Sequence, residues 1–127
     1  MKYFVFITCF SFLTLSGLQA QSIEGTWWTG KQAAKVKIYK TKAGYYEGEL
    51  IWTKDQSEKI KATHGTIVIR NLEKESETKY KGNAFDPESK KTYGCTITVK
   101  DANTIDLRGY WGISLLGKTE QWTRVIN

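Results

Sequence analysis

The sequence predicts an all-β domain, a small antiparallel up-and-down β-barrel of about eight strands, with a cleavable leader in front of it. Three observations carry this. Apolar and polar residues alternate with period two through most of the chain after residue 20. Gly, Asn and Asp break the alternation at short intervals, and Pro87 is the only proline. No apolar pattern of helical period runs beyond two turns, so few residues are left for helices.

The leader comes first. Lys2 provides a positive start, and residues 3–15 form an uncharged apolar stretch. Ser16-Gly17 and Leu18-Gln19-Ala20 then supply a loosened segment ending on a small residue. This is the layout of a secretory signal, with cleavage expected after Ala20. A membrane-spanning helix needs roughly 20 apolar residues, more than this run contains. Cleavage removes Phe4, Phe6, Phe10, Phe12 and Cys9, leaving a single domain at 21–127. Its aromatic side chains are then almost all Trp and Tyr. The expected destination is the periplasm or the extracellular space.

The strands follow in order, near 25–29, 34–40, 45–53, 65–71, 79–85, 92–99, 104–111 and 119–126. In the second, Val36 and Ile38 oppose Lys35, Lys37 and Lys40. In the third, Gly48, Leu50 and Trp52 oppose Glu47 and Glu49. In the sixth, Tyr93, Cys95, Ile97 and Val99 oppose Thr92, Thr96 and Thr98. In the seventh, Ile105, Leu107 and Trp111 oppose Asp106 and Arg108. Each strand therefore has one buried and one wet face, the antiparallel pattern. Lys42-Ala43-Gly44 and Asp101-Ala102-Asn103 have hairpin length, and Asp86-Pro87-Glu88-Ser89 is a proline turn that the Asp side chain can cap. The polar segment Lys54–Thr63 suits a helical turn or a mobile loop. Closure of the sheet removes its exposed edges; a two-sheet sandwich is the alternative.

Little in the sequence suggests catalysis. His64 is the only histidine and sits beside Gly65, where it reads as a turn residue. Glu47 and Glu49 share a strand face, but that face is the wet one. An enzyme would draw on Asp86 or Asp106 with Arg108 and Tyr110, and nothing in their spacing requires it. No metal or cofactor motif is present, and Cys95 reads as a buried core thiol. The formal charge is +6. The lysine stripe Lys35, Lys37, Lys40 and Lys42, with Lys90-Lys91, reads as solubilising, or as attraction to anionic lipid or polysaccharide. Export disfavours nucleic acid as a partner.

In a closed barrel the first and last strands are neighbours. Trp27 and Trp122 with Arg124 are thus expected to close one end, the guanidinium lying over an indole.

Two runs carry a family resemblance: G-N-A-F-D-P-E-S-K-K-T-Y at 82–93 and L-R-G-Y-W-G-I-S-L-L-G-K-T-E-Q-W-T-R at 107–124. Together with Gly25-Thr26-Trp27 they resemble the bacterial family known as domain of unknown function 2147, and more broadly the lipocalin-like barrels. Asp86, Pro87, Lys91, Tyr93, Arg108, Gly109, Tyr110, Gly112, Leu116, Gly117, Thr119, Trp122 and Arg124 match in register. The resemblance implies an exported lipocalin-like barrel and assigns no activity. The expected function is non-enzymatic binding of a small apolar or amphiphilic ligand in or at the mouth of the barrel, with Trp28, Trp52, Tyr110 and Trp111 as candidate ligand contacts. The alternative is a cell-envelope interaction module acting through a surface patch such as 107–117.

Overall fold

A computed structural model describes residues 22–110 and 119–126. Eight antiparallel strands close into a barrel in sequential order. They are β1 (Gly25–Trp28), β2 (Ala34–Lys40), β3 (Tyr46–Thr53), β4 (Ile67–Lys74), β5 (Lys79–Asp86), β6 (Lys91–Asp101), β7 (Thr104–Tyr110) and β8 (Thr119–Arg124). The sandwich alternative falls because β1 pairs with β8, Trp27 opposite Arg124 and Trp28 opposite Thr123. The segment Lys54–Thr63 contains one helical turn, α1 (Glu58–Lys61), with the Ser57 hydroxyl accepting from the Ile60 N–H as its cap.

Connections alternate between the two ends. One end carries the β1–β2 turn, α1 and the Asp86 turn; residues 111–118 lie outside the described residues. The Asp86 carboxylate accepts from the Glu88 N–H at 2.9 Å and the Ser89 hydroxyl at 3.0 Å, fixing its turn. The other end carries the three short hairpins and both termini of the barrel. Among these, Asn103 donates its N–H to the Asp101 carboxylate at 2.9 Å.

The terminal end is packed solid. Ile23, Trp27, Ile38, Leu72, Tyr80, Ile97 and Ile105 are essentially inaccessible to solvent. Tyr46 meets Tyr80 edge to face at 5.5 Å. Cys95 is buried in this core; loss of hydration pushes its thiol up to about 12, against a smaller pull from the Gly82 N–H. Close packing here depends on Gly82, where a side-chain carbon would sit 2.8 Å from the Leu72 Cα and 2.7 Å from the Arg70 carbonyl oxygen.

Period-two alternation fails at one decisive place. Val36 pairs with Leu50 but Lys35 pairs with Trp52, leaving Ile51 as an extra residue in β3. This bulge reverses the parity of everything after it. Leu50 and Thr53 are buried, Ile51 is exposed, and Trp52 turns to the outer wall. The third strand therefore departs from the simple alternation expected for it. β2 keeps its parity throughout, so Lys35 and Lys37 face out while Lys40 swings over the Tyr46 ring, 5.9 Å from its centre. The lysine stripe is accordingly not one face.

Candidate functional site

The half of the barrel nearest α1 is hollow. A cavity of about 600 Å³ opens at that end, within the range of small-molecule sites. Its depth is apolar: Val36, Leu50, Ile69, Ala84, Leu107 and Trp122. Space survives in so short a chain because small residues stand at inward positions of the upper strands. Ala34 and Ala84 face in where larger side chains fill the opposite end.

The rim is polar. Thr29 from the β1–β2 turn, Thr53 from the end of β3, Thr63 beyond α1 and Tyr93 from β6 all line it. Thr53 is buried, and its hydroxyl donates to the Asp55 carbonyl at 2.8 Å. Its only proton is thereby used, so the contact at 2.7 Å with His64 Nε2 requires the imidazole to be the donor. His64 thus pins the end of β3 to the turn that follows α1. Four carboxylates complete the rim: Asp55, Asp86, Glu88 and Glu120. The Asp55 carboxylate lies below its ordinary value because the Ser57 backbone N–H and side chain hydrogen-bond it. Glu120 accepts the Trp122 indole N–H at 2.6 Å, which holds that ring as part of the cavity wall.

Two of the four expected ligand contacts lie elsewhere. Trp28 and Trp52 stand on the outer wall, ring centres 5.8 Å apart and edge to face. The Lys35 ammonium lies 4.8 Å from one ring centre and 5.4 Å from the other. The bulge at Ile51 turns Trp52 outward, and simple alternation after the inward Trp27 turns Trp28 outward. Tyr110 ends β7, its backbone paired with Gly94, and Trp111 falls outside the described residues, as does most of the 107–117 patch. Of Asp86, Asp106 and Arg108, only Asp86 lines the cavity; Asp106 faces Lys100 at 3.7 Å on the outer wall.

The three residues assigned to end closure divide. The Arg124 guanidinium lies over Trp27, 4.4 Å from the ring centre. It also donates to three backbone carbonyls, Ala102 at 2.9 Å, Glu24 at 2.7 Å and Ser22 at 2.8 Å. The Trp27 indole N–H donates to the Ile23 carbonyl at 3.0 Å. Trp122 is not part of this plug. It lies two residues before Arg124, faces inward beside Ile105, and serves as cavity wall.

The cavity residues not expected from the sequence as ligand contacts are thus Thr53, Tyr93, Leu107 and Glu120, while Asp86 had entered only as a turn cap and a candidate acid. Their signal was positional: inward parity at the strand ends nearest α1, next to inward alanines. Asp86, Pro87, Tyr93 and Trp122, four residues of the motifs quoted above, share this cavity.

Comparison with known proteins agrees with this architecture. No curated protein matches the sequence. Among solved structures, the chain resembles protein HP1028 from the human pathogen Helicobacter pylori, which is described as belonging to the lipocalin family. The TM-score is 0.66 at 20% identity, over 84% of this chain and 85% of that one. At that identity the likeness establishes a shared lipocalin-type fold. The family model described as an uncharacterized protein conserved in bacteria matches residues 25–124, and the chain belongs to that family, domain of unknown function 2147.

Proposed function

We propose that this protein binds a small apolar or amphiphilic ligand in the open half of the barrel, without chemical turnover. The observation that carries the reading is the cavity of about 600 Å³, apolar in depth and polar at its rim. Burying an apolar chain against Val36, Leu50, Ile69 and Leu107 gains roughly 25 cal/mol per Å² removed from water. The packed opposite end supplies a rigid floor, so little ordering has to accompany binding.

The test is titration with a neutral fluorescent probe, N-phenylnaphthylamine, and with retinol and fatty acids. Trp122 in the cavity wall reports occupancy through its own emission. Saturable one-to-one binding is expected. Absence of any saturable change across the panel would refute the reading.

We also propose that the ligand is met outside the cytoplasm. The support is the apolar leader at 3–15 followed by Leu18-Gln19-Ala20, and all eight strands lie beyond it. Intact mass of the protein recovered from its native host should correspond to a chain starting at Gln21. A retained Met1 would overturn the proposal.

A further inference from the structure

Overall charge and cavity charge disagree in this protein. The chain is strongly basic, at +6, yet the described cavity lining holds Asp55, Asp86, Glu88 and Glu120 and no Lys or Arg. The lysines of the same turns, among them Lys31, Lys54, Lys59, Lys61 and Lys90, are exposed and stand outside the lining. Lys118 lies outside the described residues. Acid lines the opening while these lysines stand outside it, although Asp55, Glu88 and Glu120 are solvent-exposed as well.

Among the described residues, none of the four carboxylates is spent on an ion pair. The ion pairs among the described residues join Lys74 to Glu77, Lys81 to Glu75 and Lys100 to Asp106, all away from the rim. Nor do the four converge on a point. Among the described residues, no three acidic, His or Cys side chains gather closely enough to hold a metal ion. They come from three places, the loop after β3, the Asp86 turn and β8, and are spread around an apolar opening. A metal ion would leave that apolar depth unused. A molecule with an apolar tail and an organic cationic head would use both parts at once.

We propose that the ligand is a cationic amphiphile, an alkyl chain or ring system ending in an ammonium or similar group. This rests on the cavity being a binding site at all, as argued above. The tail occupies the depth between Leu50 and Trp122, and the head sits among the rim carboxylates. Attraction at the rim acts over a few ångströms through partly wet surroundings, so each carboxylate contributes modestly and salt screens part of the effect. Tail burial sets the bulk of the affinity, and the head sets the preference.

The experiment displaces N-phenylnaphthylamine from the mature protein with three ligands sharing one tail: decylammonium, decanol and decyl sulfate, each below its micelle threshold. Decylammonium is expected to compete about tenfold more strongly than decyl sulfate, with decanol between them. The ratio should shrink toward unity in ~1 M NaCl. The double variant Glu88→Gln/Glu120→Gln should reduce it about threefold, with a circular dichroism melt verifying the fold. Equal competition by the three ligands at low salt, or preference for the sulfate, would overturn the cationic assignment and leave the binding site standing. A ratio indifferent to salt would overturn it too, and that measurement needs no variant to fold. Failure of the naphthylamine itself to bind would overturn both the site and its ligand class.

Discussion

Arg124→Ala removes a side chain that holds four separate pieces of the barrel together. Its guanidinium donates to the carbonyls of Ser22 and Glu24 before β1 and of Ala102 in the β6–β7 turn, and it covers the Trp27 ring. Hydrogen bonds to charged groups contribute ~1.5–3 kcal/mol when buried. These are open to solvent on one side, and the freed carbonyls can bind water, so about 0.5–1 kcal/mol each is the appropriate scale. The ring contact adds about 1 kcal/mol. Together the loss is about 2.5–4 kcal/mol, which for a domain of this size lowers the melting temperature by about 10–20 °C. Circular dichroism melts of the wild type, Arg124→Ala and Arg124→Lys would measure it. Lysine keeps the charge but lacks the planar fork, so it should recover less than half of the loss. The near-ultraviolet band of Trp27 should weaken in parallel. If Arg124→Ala melted within about 2 °C of wild type, the plug would be ornamental and the reasoning wrong.

Other predictions concern the same core and the cavity. Gly25→Ala should destabilise by about 2 kcal/mol or more in urea titrations, because Gly25 has φ +137° and an added carbon would meet Arg124 Nη1. Stability should fall at alkaline pH. Burial raises Cys95 from 9.0 to about 12, and Tyr39 rises from 10.0 to about 12 through burial and its hydrogen bond to Glu47. Above pH 9 the unfolded chain releases protons that the folded chain keeps, so stability complete below that pH is lost progressively up to pH 12. Urea midpoints between pH 8 and 11 would show this, and Cys95→Ala should flatten part of the slope; an unchanged slope would contradict the assignment to the thiol. Ala84→Phe should fill the cavity and weaken probe binding at least about tenfold while the barrel still melts cooperatively. Trp52→Ala should leave probe binding unaltered, since its ring stands on the outer wall; lost binding would contradict that placement.

The closed barrel was readable in the sequence because inward positions recur every second residue and the turns carry their own chemistry. Asp86 and Asp101 cap the turns expected of them. Closure then brought Trp27 and Arg124 face to face without further information. The cavity was less readable, and Ile51 shows why. A bulge adds one residue to one strand, and no propensity distinguishes that residue from its neighbours. Parity counted through it assigns Trp52 to the interior and Thr53 to the wall, the reverse of what the barrel does. Large aromatics also drew attention to themselves as ligand contacts. A cavity is made where side chains are small, and Ala34 and Ala84 mark it by what they lack.

The plug has a consequence for how the chain comes to be folded. Arg124 reaches Glu24 and Ser22 across sequence separations of 100 and 102 residues. Synthesis proceeds from the N-terminus, so Trp27 and Ile23 emerge long before the residue that covers them. Their apolar surface has no native partner from the last strand until that strand arrives. Non-local pairing of this kind slows folding, since the loop must be closed before any contact rewards it. Closure of the barrel therefore waits on β8 and on the Arg124 that it carries.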